Sequence, residues 1–324
     1  MQKKIKLLKI PSEYGAGTRG ASLGIEALRM ASIMRKSDLF SKLDTSTISV
    51  PKKNLLKRPK NKVAKYSGVI SKLYLKIAAS VAQIISNSPF LFVLSGDHSC
   101  AGGVMAGLAK AFPNKTMGVI WIDAHADIHS PYTTPSGNIH GMPVATALGF
   151  SHKEIKVNEV NHKVETDWQT MCYASGRKGI LKPEHLVYIA IRDTEPEEDN
   201  VIDAYKIKKY DTQMIRRVTI ENVVKQTIEY LSPCDYWYVS FDVDSLDDTI
   251  SRGTGTPAAN GLLIEEARYL LKKLLAHPKT ICLEIAEINP LLDNKNRMAE
   301  VAFELLEDCY KVVKKRIFGA SLPQ

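Results

Sequence analysis

Cysteine is scarce and unpatterned in this chain. The five cysteines (Cys100, Cys172, Cys234, Cys282 and Cys309) are odd in number, widely scattered, and none sits in a CxxC pair. This excludes a disulfide scaffold, argues against a thiolate zinc site, and fits reduced thiols in a cytosol. No apolar run approaches the roughly 18 residues needed to span a bilayer. The basic start, Met1-Gln2-Lys3-Lys4-Ile5-Lys6, leads into a short strand-like stretch without the apolar core of a signal peptide. A cytoplasmic protein with no membrane partner is expected. Internal repeats and low-complexity linkers are also missing. With 44% hydrophobic and 24% charged residues, 19 Gly and 15 Pro, the 324-residue chain has the composition of a globular protein, not of a collagen, coiled coil or disordered tail.

Acidic residues are rare at the N-terminal end. Residues 1–80 hold 18 Lys and Arg against 4 Asp and Glu, whereas the remainder holds 26 against 31, so the net charge of +9 is entirely N-terminal. The densest part is Pro51-Lys52-Lys53-Asn54-Leu55-Leu56-Lys57-Arg58-Pro59-Lys60. It has the charge to attract phosphates, but no interleaved aromatics and no nucleic-acid motif. The reading is a solvated surface segment leading into a helix, with no nucleic-acid partner.

What the chain does have is a recurring apolar run: Ile5–Ile10, Phe90–Leu94, Gly118–Ile122, Leu186–Ile191, Tyr236–Phe241 and Thr280–Ile285. Several are continuous, as in strands covered on both faces. Helical patterns lie between them, such as Gly24–Met34, Val69–Ser86 and Glu265–Ala276, and Glu300–Lys315 follows the last. This alternation predicts one α/β domain over residues 1–324 with a mainly parallel sheet. Ser151–Lys182 breaks the rhythm and is read as an excursion.

Polar chemistry collects where the strands end. Phe90–Leu94 runs into Ser95-Gly96-Asp97-His98, Gly118–Ile122 into Asp123-Ala124-His125-Ala126-Asp127, and Leu186–Ile191 into Arg192-Asp193-Thr194-Glu195. Tyr236–Phe241 ends in Asp242-Val243-Asp244 and Thr280–Ile285 in Ala286-Glu287. Open parallel sheets bind ligands at that edge. On an extended strand end, Asp123, His125 and Asp127 would share one face, and Asp242 and Asp244 would repeat the pattern. Four carboxylates and the imidazoles of His98 and His125 cannot share a pocket without positive charge to hold them. A pair of divalent cations supplies it, and mixed nitrogen and oxygen donors suit manganese, with cobalt as an alternative.

These segments resemble the ureohydrolase family, which includes arginase, agmatinase and formimidoylglutamase. The matching runs are Ser95–Ser99, Asp123–Asp127, Ser136–Gly141, Ser240–Asp244, Gly253–Pro257 and Glu284–Pro290, in the family's order and over nearly the whole chain. The resemblance implies a single three-layer α/β/α domain around an eight-stranded, mainly parallel sheet. It implies one cation held by His98, Asp123, Asp127 and Asp242, and another by Asp123, His125, Asp242 and Asp244. Thr134-Pro135-Ser136-Gly137-Asn138 is similar to the arginase loop, implying that Thr134, Ser136 and Asn138 grip an α-carboxylate. Three positions depart from the common pattern: His129 where many arginases have Asn, Glu195 where they have Asp, and Ser95 where Gly is usual. His129 would lie near the carboxylate loop. Glu195, alone or with Asp193, would meet the α-amino group, and the lone Ser95 change reads as neutral. The departures and the excursion look like a subgroup of bacterial arginases, and the family suggests a homo-oligomer.

The expected reaction is attack of hydroxide, bridging the two cations, on the guanidinium carbon of L-arginine to give L-ornithine and urea. Glu287 would hold the guanidinium, His140 would pass a proton to the departing amine, and Thr256 would orient a carboxylate or the water. Asp127 belongs to both the metal and the catalytic set. The nearest alternative is a related guanidino or formimidoyl hydrolase, namely formimidoylglutamase, guanidinobutyrase or agmatinase. A different class is suggested by Gly15-Ala16-Gly17-Thr18-Arg19-Gly20, literally G-x-G-x-x-G after the first strand. Pro11–Tyr14 separates it from the strand end, where a dinucleotide fingerprint must lie.

Overall fold

The structure is a computed structural model that describes residues Lys4–Gly319. Residues 1–3 of the predicted strand-like start and residues 320–324 of the expected domain lie outside the described residues. Eight strands form one sheet: β1 Lys6–Ile10, β2 Asp44–Thr47, β3 Leu91–Ser95, β4 Met117–Ile122, β5 Leu186–Ile189, β6 Lys208–Tyr210, β7 Tyr236–Asp242 and β8 Thr280–Ala286. Their order is β2-β1-β3-β8-β7-β4-β5-β6, and every pairing is parallel.

Both faces of the sheet are covered, which is why its strands read as continuous apolar runs. Leu8, Ile10, Leu91, Val93, Val119, Trp121, Tyr188 and Tyr238 point into one core. The helices Ser67–Ile85, Cys100–Ala111 and His162–Cys172 complete that side. The alternate residues Leu7, Phe92, Leu94, Ile120, Ile122, Val187, Val239 and Leu283 enter a second core with the helices Gly24–Met34, Ile264–Ala276 and Arg297–Phe318. The expected three layers are therefore present.

The helix Ser67–Ile85 is long and apolar enough to cross a membrane. Its apolar residues instead recur at helical spacing (Ile70, Leu73, Tyr74, Ile77, Val81) and are buried against the sheet and the helix Cys100–Ala111. The excursion at 151–182 also contributes to this layer. Its helix His162–Cys172, capped by the Asn161 side chain on Val164 N, buries Val164, Trp168 and Met171 and packs on Ser67–Ile85.

Two strands escaped the sequence reading. β2 is exposed at all four residues and β6 has only three residues; both are sheet edges. The five strands whose ends carry acids or imidazoles are β3, β8, β7, β4 and β5, adjacent in the sheet. Between β3 and β4 the chain passes over the places of β8 and β7, and the carboxyl ends of these strands form the edge at which open parallel sheets bind ligands.

Candidate metal centre and active site

His98 follows β3 and is 1% exposed, its ring stacked on Trp121 with centroids 4.2 Å apart. Its Nδ1 lies 3.0 Å from an Asp123 oxygen and 3.1 Å from oxygens of Asp127 and Asp242. Despite this crowding, Nδ1 makes no well-directed hydrogen bond. A buried ring nitrogen ringed by three carboxylates fits a cation at that point. Burial opposes a charged imidazole here, yet the three carboxylates raise the His98 pKa well above its ordinary value.

A second donor set adjoins the first. His125 Nδ1 is 3.1 Å from Asp244 and 3.5 Å from Asp123, and its Nε2 is 3.6 Å from Asp193. Ligand atoms of His98, Asp123 and Asp127 lie within 4.8 Å of one another, as do those of Asp123, His125 and Asp244. Asp123 is common to both sets, so two cations could share it. Burial, with Asp123 adding, raises the pKa of Asp127 to about 6, and burial, with Asp244 and then Asp123 adding, raises that of Asp242 well above its ordinary value. Protein groups alone leave these carboxylates under-compensated.

The local geometry differs from the strand alternation expected. β4 ends at Ile122, and Asp123–His125 forms a bend. Asp127 adopts a left-handed φ of 51°, which a side-chain-bearing residue holds only when its surroundings impose it. Asp242 is the last residue of β7, while Asp244 lies in the 3-10 turn Val243–Ser245. Asp244 is fixed by the Ala124 N–H at 3.2 Å and the Thr256 hydroxyl at 3.1 Å.

Glu287 follows β8 at φ 67° and is 2% exposed. Its Oε1 accepts from the His98 backbone N–H at 2.8 Å and lies 3.0 Å from His140 Nδ1. Although burial favours a neutral ring, Glu287 leads Asp127 and Asp97 in raising the His140 pKa to about 9. A cavity of about 240 Å³ is lined by His125, Asp127, His129, Thr134, Ser136, Asn138, His140, Asp193, Glu195, Asp242, Asp244 and Thr256. A larger, open groove along Asp211–Arg216 and Pro257–Gly261 shares only Asp193 with it.

His129 lines the same cavity as Thr134, Ser136 and Asn138, with its ring turned to protein partners. Its Nδ1 is 3.1 Å from the Thr133 hydroxyl and its Nε2 is 3.2 Å from Glu195, so both ring nitrogens are committed inside the protein. Thr133 Oγ1 also accepts from Ser130 N at 3.0 Å, which fixes the hydroxyl beside the ring. His129 orients Glu195, and its bond leads in lowering that carboxyl to about 2. Arg192 is likewise consumed, by the carbonyls of Ala190, Asp244, Ser245, Leu246, Ala258 and Ala259.

The chain matches the family model described as "Arginase family" over residues 3–311. It belongs to the arginase family. It is 33% identical over 309 residues to an arginase of Bacillus subtilis strain 168, covering 95% of this chain and 97% of that one. It is 34% identical over 313 residues to an arginase of Staphylococcus aureus strain COL, covering 94% and 96%. The solved native structure of Bacillus caldovelox arginase superposes with a TM-score of 0.82 at 31% identity, covering 99% of this chain and 100% of that one.

In this arginase-family chain the G-x-G-x-x-G segment packs closely against protein groups. A side chain on Gly15 would fall 2.4 Å from Asp97, and one on Gly17 would fall 2.7 Å from Asn138 Nδ2. Asp97, fully buried, accepts from Ser12 Oγ at 2.9 Å and Gly15 N at 3.2 Å and so ties this loop to the end of β3.

Residues that carried no role in the sequence reading stand directly behind His98. Its Nε2 lies 2.7 Å from Ser240 Oγ, Ser240 lies 3.3 Å from Tyr238 Oη, and Tyr238 donates to Glu284 at 2.6 Å. Ser95, the supposedly neutral departure, donates to the other Glu284 oxygen at 2.5 Å. Trp121, Ser240 and Glu284 are in register across β4, β7 and β8, one polar row on one face. The available signal was an acid inside an apolar buried strand, which demands partners.

Proposed function

We propose that this chain hydrolyses L-arginine to L-ornithine and urea at a pair of divalent cations, manganese or alternatively cobalt. The observation that carries this reading is one carboxylate, Asp123, shared by two imidazole-containing donor sets, with the Glu287–His140 pair beside them. His98, Asp123, Asp127 and Asp242 would hold one cation, and Asp123, His125, Asp242 and Asp244 the other. Mixed imidazole and carboxylate donors without thiolates support manganese or cobalt. Two such ions would acidify a bound water and offset the four carboxylates.

The chain's own residues do the rest. Glu287 Oε1 is occupied by His98 N and His140, which leaves Oε2 for the substrate guanidinium. Hydrolysis forms one oxygen–carbon bond at the guanidinium carbon and breaks the bond from that carbon to the side-chain nitrogen. A proton must reach that nitrogen as ornithine leaves. His140, kept protonated by Glu287, is placed to give it. Asp127 faces the same cavity and is the acceptor for the proton released by water. Thr134, Ser136 and Asn138 take the α-carboxylate, Asp193 and the His129-oriented Glu195 take the α-ammonium, and Thr256 steadies Asp244.

The same reading makes residues 1–324 one domain, working in the cytoplasm as a homo-oligomer on a small molecule, with neither nucleic acid nor membrane as partner. Five buried, unpaired thiols support a reducing compartment. The test is product release from L-arginine, agmatine, guanidinobutyrate and formimidoylglutamate, scoring urea for the first three and formamide for the last. Arginine should be the substrate turned over best. Turnover of another compound with arginine inert overturns the assignment.

A further inference from the structure

Every Lys and Arg between residues 51 and 62 is exposed, but Lys65 turns inward. Its ammonium donates to Asn138 Oδ1 at 2.9 Å, and its backbone N–H donates to Gly137 O at 2.8 Å. The contact between the two segments is built in. Gly137 sits at φ 71°, and a side chain there would fall 1.6 Å from the Lys62 carbonyl oxygen. Only glycine lets the basic segment lie along the Thr134–Asn138 loop.

Two features of this contact call for an anion. Lys65 is half-buried, and among the described residues its side chain bonds only a neutral amide oxygen and forms no salt bridge. A cation whose one bonded partner is neutral keeps its charge available to an anion nearby. The amide it holds lines the cavity, at the wall formed by Thr134 and Ser136. Apart from the carboxylates that the cations would offset, the cavity is also bounded by Asp193 and Glu195. A ligand with an anionic end is repelled from those two and attracted to the wall backed by Lys65. Since Asn138 Oδ1 is taken by the ammonium, the amide cannot flip, and its Nδ2 stays a donor on the side that Gly17 leaves open.

We propose that Lys65 is the positioning residue that makes this site select guanidino compounds bearing a carboxylate over those without one. It acts by locking the Asn138 amide and by adding its charge to the loop. The inference rests on the arginine-hydrolase reading and adds to it a residue outside the matched motifs.

The test compares wild type, Lys65→Met and Lys65→Arg, each loaded with manganese, by steady-state hydrolysis of L-arginine. Calorimetric binding of L-ornithine and of putrescine, which lacks the carboxylate, completes it. Losing a charge-assisted contact made equally in ground and transition states should raise KM for L-arginine about tenfold in Lys65→Met, with kcat within about twofold. L-ornithine binding should weaken by a similar factor, putrescine binding should stay unchanged, and Lys65→Arg should recover most of the loss. The proposal is overturned if L-ornithine binding does not change, if L-ornithine and putrescine weaken in parallel, or if Lys65→Arg is no better than Lys65→Met. If the wild type releases no urea from L-arginine, the function proposed above fails, while the ornithine–putrescine comparison still decides the role of Lys65.

Discussion

Glu284 offers a way to separate metal binding from folding. It is fully buried, accepts from Ser95 Oγ at 2.5 Å and Tyr238 Oη at 2.6 Å, and ends a chain that runs through Ser240 to His98 Nε2. A carboxylate can only accept, so Tyr238 must donate to it. Ser240 then donates to Tyr238, and the Nε2–H of His98 donates to Ser240. With a cation bound, that order puts the His98 lone pair on Nδ1, facing Asp123, Asp127 and Asp242. In Glu284→Gln the size is kept, but two charge-assisted bonds of about 1.5–3 kcal/mol each become neutral ones of about 0.5–1.5. Relief of the buried charge offsets most of that loss. Denaturant unfolding of the metal-free protein should change by no more than about 1 kcal/mol. Metal affinity should respond far more, because an amide can also donate and no longer fixes the proton order. Loss of an outer partner of a ligating imidazole weakens binding by roughly 10–100-fold. Manganese titration of the two proteins, followed by calorimetry, measures this directly. Equal affinities, or an affinity loss that merely tracks unfolding, would refute the proton ordering.

The other expectations concern single sites. Asp242→Ala should bind less metal, measured by elemental analysis, and should lose more activity than the roughly 10–100-fold typical of an outer partner; normal metal content would remove it from the donor set. Chelation should lower the melting temperature, and manganese at about 100 times its Kd should restore about 2.7 kcal/mol per site, read by thermal denaturation. His152 is buried, with Nε2 3.0 Å from the Ile128 carbonyl, and burial lowers its pKa. The unfolded state therefore takes up its proton first, below about pH 6.5. The stability of wild type relative to His152→Gln should be full above that pH and fall by up to about 1.4 kcal/mol per unit as acid is added, until the folded ring also protonates; a pH-independent difference would contradict this. Gly137→Ala should cost at least about 1–2 kcal/mol from its left-handed backbone and should raise KM for L-arginine through displacement of the loop.

The central strands and four of the helices, Gly24–Met34, Ser67–Ile85, Ile264–Ala276 and Arg297–Phe318, were readable because a two-sided sheet turns burial into long apolar runs. Its edges were not: β2 is fully exposed and β6 is short, so neither carries the pattern. The donor residues were readable by type and position but not by geometry, since the Asp123–Asp127 segment has left the sheet and Asp127 takes a left-handed backbone. His129 shows a different limit. Its residue type suits a carboxylate ligand, but only coordinates reveal that Thr133 and Glu195 already occupy both nitrogens. Ser95 and Glu284 are far apart in sequence and acquire meaning only because β3 and β8 are neighbours. Lys65 was hidden among lysines that solvate the surface; what distinguishes it is that Gly137 admits its segment.

Crystals grown with manganese and measured for anomalous scattering would test the central claim most directly. The account expects two peaks about 3.5–4 Å apart, one beside His98 and one beside His125, with Asp123 touching both. A single peak, or ions bound away from these residues, would contradict it.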